Sequence, residues 1–216
     1  MSSYSIHAFR RLPALLFALS ILISGCGSGD SSNSSIPASK NPKALLSALK
    51  VFDLAGNALN PFDAIDAIDA KAFVFVFIST DCPISNRYAP EIRRVEEEFV
   101  RAGVRFWLVY ADTDTSADAI RKHIRDYRLP NPVLRDPRHS LVHLAQARVT
   151  PEAAVFLPGG RLVYHGRIDN RYADLGKERP EATQHDLEDV VKAILQARPV
   201  PYPTAKAVGC YIPEPK

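Results

Sequence analysis

The stretch "KAFVFVFIST", residues 71–80, constrains this chain more than any other ten residues. Its apolar residues run on without polar alternation and are rich in Phe and Val, the pattern of a strand buried on both faces. A strand of that kind needs cover above and below, so the chain must supply helices to both faces of a sheet. The run ends at "TDCPIS", residues 80–85, where the strand stops and a helix starts. A structural cysteine belongs inside the apolar run, yet Cys82 stands at the turn, directly before Pro83. Proline suits the first helical turn because its missing N–H would have no partner there.

The rest of the chain alternates in the same sense. "ALKVFDLAGNALNPF" reads as a short strand, a turn and a second extended piece. "DAIDAIDA", residues 63–70, is a tandem repeat too short to define an architecture and reads as a surface connection. Ile84, Tyr88, Ile92, Val95 and Phe99 recur at spacings of three and four, which predicts one helix that Gly103 stops. "VRFWLVYA" is a second buried strand, "SADAIRKHIRDYRL" a helix, "NPVLRDP" a short strand and "HSLVHLAQA" a short helix. "EAAVFLPGGRLVYHGRI" is a hairpin turning at Pro158-Gly159-Gly160. "TQHDLEDVVKAILQAR" closes the series as a helix with Thr183 as its expected N-cap. The expected fold class is α/β: right-handed parallel units first, then an antiparallel hairpin, in a mixed sheet between two helical layers.

The chain has 216 residues, 46% of them hydrophobic and 24% charged, which describes a globular protein with extensions. The net charge is +3, and without the first 25 residues 25 bases face 24 acids. No Lys/Arg cluster with interleaved aromatics appears, so nucleic acid is excluded as a partner. Residues 1–25 read as an export signal: Arg10 and Arg11 precede an apolar core, Leu12 to Ile23, shorter than the ~20 residues of a membrane span. "ISGC", ending at Cys26, resembles the bacterial lipobox, with Ile23 where Leu is commonest. The resemblance implies a lipoprotein with lipid on Cys26 and the membrane as a partner. Residues 26–44, rich in Gly, Ser, Asn and Pro, read as a flexible tether of roughly 20–25 Å. The expected location is the cell envelope, facing the periplasm, where disulfides can form.

Residues 45–199 resemble the thioredoxin fold in its redoxin branch, the alkyl hydroperoxide reductase/thiol-specific antioxidant family. Cys82-Pro83-Ile84-Ser85 stands where thioredoxins carry Cys-x-x-Cys, and Ala89-Pro90 follows at the family's spacing. "VTPEAAVFLPGGRLVYHGRI" matches the second landmark, with Thr150-Pro151 in the place of the cis-proline before the hairpin. The extra residues between the second helix and that proline resemble the redoxin insertion. The resemblance implies a three-layer α/β/α thioredoxin-like domain with a central mixed β-sheet. It also implies thiol chemistry at Cys82, acting on a protein thiol or disulfide or on a small peroxide, with no cofactor and no metal.

The residues support that chemistry and also depart from the pattern. At a helix N-terminus, Cys82 would face unpaired N–H groups, which favour thiolate and lower the pKa below the free value of about 8.5. Ser85 replaces the second cysteine and cannot close a disulfide. Thr80 lies two residues before Cys82, not three as in peroxiredoxins, but remains a candidate donor to the sulfur. Asn86 stands where the copper-chaperone branch needs a second cysteine. Cys210 lies in a Pro-rich tail, residues 200–216, of the kind that carries the resolving cysteine in two-cysteine peroxiredoxins. Three readings of Cys210 stay open: a resolving thiol for Cys82, a static disulfide with it, or a distant free thiol. His139 and His143 have a helical spacing that can hold a metal, without a third ligand in view. "RIDNRYADLGKERPEATQHD" reads as a long loop that could bind a partner, with Arg167 and Asp169 as a plain ion pair. The alternative to an oxidoreductase is a thioredoxin-fold binding or structural module of a cell-envelope complex.

Overall fold

The computed structural model describes residue 46, residues 49–63 and residues 69–215. The stretch read as an export signal, Cys26 and the tether lie outside these residues, as do residues 64–68 of the Asp-Ala-Ile repeat. The elements are β1 (Val51–Phe52), β2 (Ala58–Leu59), β3 (Ala72–Ile78), α1 (Pro83–Arg87), α2 (Ala89–Val100), β4 (Val104–Tyr110), α3 (Ala117–Tyr127) and β5 (Val133–Arg135). There follow α4 (Ser140–Ala145), β6 (Val149–Thr150), β7 (Glu152–Leu157), β8 (Arg161–Gly166), β9 (Tyr172–Asp174), β10 (Lys177–Glu178), α5 (Asp186–Leu195), β11 (Thr204–Ala205) and β12 (Cys210–Tyr211).

Every residue of β3 is buried because the strand lies inside an eight-stranded sheet of order β11-β8-β7-β3-β4-β5-β1-β2. β3, β4 and β5 are parallel, while β7 runs antiparallel to both β3 and β8. Successive β3 side chains enter opposite cores, as a period of two requires. Val74, Val76 and Ile78 pack with Ile92, Val95 and Phe99 of α2, Ile120 of α3 and Leu187, Val190 and Val191 of α5. Phe73, Phe75 and Phe77 pack on the other face with Leu141, Val142 and Ala145 of α4. Phe62 and Phe156 meet Phe75 there at ring separations of 5.5 and 5.7 Å. The sheet is thus covered on both sides.

Three local expectations are corrected. The helix from Ile84 to Phe99 is two helices, broken at Tyr88, because Pro90 has no N–H to offer the preceding turn. The last helix begins at Asp186 with His185 as N-cap. Thr183 instead accepts from Asn170 Nδ2 at 2.8 Å. Arg167 pairs with Asp186 rather than Asp169, through Nε at 2.8 Å and an NH2 contact at 3.0 Å.

The C-terminal residues return across the domain. β11 adds to the sheet edge parallel to β8, and Tyr202 packs its ring 6.1 Å from Tyr164. Gly166 permits this approach, since a Cβ there would lie 2.1 Å from Ala205 O. β12 then pairs antiparallel with β6, setting Cys210 opposite Thr150 and Tyr211 opposite Val149. Among the described residues no helix is long and apolar enough to cross a membrane.

Candidate active site

Cys82 is the N-cap of α1 and only 1% exposed. Its sulfur accepts from Ser85 N–H at 3.5 Å, and as a thiol it donates to Thr150 O at 2.9 Å. The Thr150–Pro151 peptide is cis. Across from Thr150, the β12 register brings Cys210 in as a hydrogen-bond partner of Cys82, and both cysteines are free thiols. Gly209 makes the approach feasible: a Cβ there would lie 2.1 Å from Thr150 O.

Burial alone would push the Cys82 thiol up. Its pKa nevertheless falls to about 7, because the Cys210 side chain, the Ser85 side chain and N–H, and the Thr150 side chain all favour the thiolate. Ser85 Oγ and Thr150 Oγ1 are buried and hydrogen-bonded to nothing at ordinary distances. Two hydroxyls beside a sulfur, without acceptors of their own, find one when the sulfur ionises. Cys210 moves the opposite way, to about 11, through burial, its hydrogen bond to Cys82 and the charge on Cys82. The two neighbouring thiols are thus pushed in opposite directions, Cys82 toward thiolate and Cys210 toward the protonated form.

The family model described as AhpC/TSA matches residues 47–165. The chain belongs to the AhpC/TSA family. The match contains Cys82, Thr150 and Pro151, whereas Cys210 lies beyond it. The fold is thioredoxin-like, and solved structures share it at low identity. An uncharacterized conserved protein of Geobacillus kaustophilus is 21% identical over 76% of this chain and 87% of its own, with a TM-score of 0.63. A hypothetical protein of Sinorhizobium meliloti is 23% identical over 76% and 89%, also at 0.63. DsbF of Mycobacterium tuberculosis, solved in mixed oxidized and reduced forms, is 19% identical over 70% and 97%, at 0.50. A comparison with curated proteins gives no match.

Glu152, His123 and Tyr110, which the sequence did not single out, support this site together with Asn86, noted there only as the place of a missing cysteine. Glu152, 5% exposed, accepts the N–H groups of Arg148 at 2.8 Å and Val149 at 3.1 Å, which holds β6 and hence Thr150 against the sulfur. Asn86 donates to Thr80 O at 3.3 Å and accepts from His123 Nε2 at 2.7 Å. The other nitrogen of His123 meets the Tyr110 hydroxyl at 2.7 Å. Burial lowers the His123 pKa, and the neutral ring donates its one proton from Nε2 to Asn86 Oδ1 while Nδ1 accepts from the Tyr110 hydroxyl. This chain ties α1 to β4 and α3. Its sequence signal was the place of His123 on the inward stripe of α3, with Ile120 and Ile124.

Thr80 turns its hydroxyl to Asp81 Oδ1 at 3.1 Å, so the hydroxyls that serve the sulfur are those of Ser85 and Thr150. Asp81 is exposed, where water screens its charge. His139 is buried with Nε2 at 3.1 Å from Ala111 O and His143 is exposed, their ring centroids 6.1 Å apart, and among the described residues no third metal-ligating side chain joins them. Glu91, Asp169 and His185 bring ligand-type atoms within 4.8 Å of one another. Arg94, however, grips both oxygens of Glu91, and Asp169 accepts from the Tyr88 hydroxyl at 2.5 Å and Arg171 N–H at 2.8 Å. Both Glu91 oxygens and one Asp169 oxygen are thus engaged by protein donors. The long loop after β8 folds into the β9–β10 hairpin, which meets α1 through Arg87 and Glu178 at 2.6 Å. Between them lies a cavity of about 320 Å³ lined by Pro83, Ile84, Arg87, Tyr172, Gly176 and Glu178.

Proposed function

We propose that this AhpC/TSA protein is a thiol-dependent oxidoreductase in which Cys82 is the attacking thiolate and Cys210 resolves the product. The observation that carries the reading is the β12–β6 register, which sets Cys210 against the Cys82 sulfur. With a disulfide substrate, the Cys82 thiolate attacks one sulfur and a substrate thiolate leaves. Cys210 then attacks the Cys82 sulfur, and the second substrate thiolate leaves. With a peroxide, the Cys82 thiolate takes the near oxygen, the O–O bond breaks and the far oxygen leaves as hydroxide or alkoxide and takes up a proton; the sulfenic acid then condenses with the Cys210 thiol to release water.

The order of events is built into the pair. Two of the three effects holding Cys210 at about 11 are its hydrogen bond to Cys82 and the charge on Cys82. Reaction at Cys82 consumes that charge, and Cys210 becomes easier to ionise when its attack is needed. Ser85 favours a second reading, a thioredoxin-fold binding module without turnover. Treating the reduced protein with hydrogen peroxide or oxidised dithiothreitol and mapping peptides without reductant separates the two. The expected product is a Cys82–Cys210 bridge that mild dithiol reopens. Cys82 ending as sulfenic acid or as a mixed disulfide beside a free Cys210 overturns the resolving role, and an inert Cys82 leaves the binding module.

The same proposal places the protein in the cell envelope, anchored by lipid on Cys26 and reaching water through the tether of residues 26–44. Support comes from the lipobox-like "ISGC" and the apolar stretch before it. Two or more acyl chains would hold it stably where one gives only marginal binding. Mass spectrometry of the N-terminal peptide from native membranes should show an acylated Cys26; an unmodified Cys26, or cleavage at another position, rules the anchor out.

A further inference from the structure

Arg87, Arg94, Arg121 and Arg167 are each held by a carboxylate. Arg161 and Arg198 are exposed and, among the described residues, neither has such a partner. The two stand together: Arg161 opens β8, Arg198 follows α5, and both line a groove of about 590 Å³. Its walls include Leu157, Val163, Ile194 and Val200, all half-buried, and no acidic side chain. An apolar trough with two unpaired guanidiniums and no carboxylate suits a ligand with an anionic head and a hydrocarbon body. The groove also lies at the end of the domain away from Cys82. Phe73 pairs with Phe156 and Phe77 with Glu152, so the β7–β8 turn sits at the start of β3, whereas Cys82 follows its end. The length of β3 separates the two by about 20 Å. Leu46, the first described residue, packs on that turn so closely that a Cβ on Gly160 would collide with it.

We infer that this end of the domain docks on an anionic phospholipid surface, with a headgroup phosphate bound by Arg161 and Arg198 and an acyl chain lying along Leu157, Val163, Ile194 and Val200. The inference is separate from the thiol chemistry, and from the proposal of a lipid-anchored chain it takes only the presence of a membrane. Arginine suits the task, since its planar fork matches phosphate and its stem covers apolar surface. Near an anionic membrane each such cation strengthens binding roughly fivefold. A lipid surface is favoured over an acidic protein because the chain leading from Cys26 enters the domain beside the groove, at Leu46. Docked this way, the domain holds its Cys82 end away from the bilayer, toward substrates arriving through water.

Photoactivatable lipid reads the contact directly. The full chain is mixed with phosphatidylcholine vesicles that carry a diazirine-bearing acyl chain on either phosphatidylglycerol or phosphatidylcholine, illuminated, and mapped by peptide mass spectrometry. The expected adducts fall on residues 157–163 and 194–203, at least ~tenfold more from the phosphatidylglycerol probe. Arg161→Glu combined with Arg198→Glu should lose them to the same extent, while thermal unfolding and oxidant-driven bridging of Cys82 match wild type. Equal labelling by the two probes, labelling confined to residues before Leu46, adducts that persist in the double variant, or a chain that binds neither kind of vesicle overturns the inference. The mass of the Cys26 peptide from native membranes keeps the anchor separate. Acylated Cys26 without groove adducts overturns the docking surface alone, and groove adducts with an unmodified Cys26 overturn the anchor alone.

Discussion

In Gly209→Ala the two thiols should part, and oxidant-driven bridging of Cys82 to Cys210 should slow by at least ~100-fold. A Cβ on Gly209 lies 2.1 Å from Thr150 O and 2.6 Å from Thr150 C. Both are backbone atoms of β6, and Glu152 fixes that strand through the N–H groups of Arg148 and Val149. Neither atom can give way, so β12 must lift. A held, oriented pair reacts as an intramolecular one, whereas a cysteine on a loose tail meets its partner at roughly millimolar effective concentration. A time course quenched with N-ethylmaleimide and read by peptide mapping gives the rate. Thermal unfolding should stay close to wild type, because β12 lies outside the eight-stranded sheet. Bridging at the wild-type rate in this variant would remove the β12–β6 register as the device that presents Cys210.

Cys82 alkylation should level off within the neutral range. With a pKa of about 7, thiolate rises about fifty-fold from pH 5 to 7 and only about twofold from pH 7 to 9. A free thiol near 8.5 would still rise about twenty-five-fold over the second interval. The sign follows from the acid form being neutral: lowering the pKa extends thiolate downward in pH, so reactivity is present above pH 7 and lost below it. Iodoacetamide rates against pH, counted on the Cys82 peptide, read this directly. Absolute rates discriminate less, since the intrinsic nucleophilicity of a thiolate falls with its pKa. Cys210→Ala should move the inflection up by about one unit, the worth of one hydrogen bond to a charged group. A wild-type inflection at or above 8.5 would contradict the hydrogen-bonded thiolate described here.

Cys82 stood out in the sequence as the candidate reactive group because its signals are local: an apolar strand ends, a proline opens a helix, and the cysteine lies between them. Ser85 was legible only as a missing cysteine. Its hydroxyl beside the sulfur depends on the turn of α1, and the matching hydroxyl of Thr150 arrives from across the sheet. Thr80, the nearer candidate in sequence, points to Asp81 because a side chain one residue away offers an acceptor at once. The expected cause of the low pKa also changed. The helix N-terminus contributes the Ser85 N–H, but the Cys210 side chain is the larger stabilising contact.

The sequence by itself determined β3, the strands and helices around it, and the need for cover on both faces, because apolar periodicity and turn chemistry act within a few residues. It also determined that the tail is extended, since its prolines exclude helix. Tertiary structure alone decided where that tail lies. Nothing local in "VGCY" states which strand edge it pairs with. Pairing with β6 follows from an uncovered edge that Glu152 braces, and from a glycine that lets two backbones approach where any Cβ would collide. Such contacts depend on the positions of chain segments far apart in sequence. They are fixed only once the two cores have closed around the sheet.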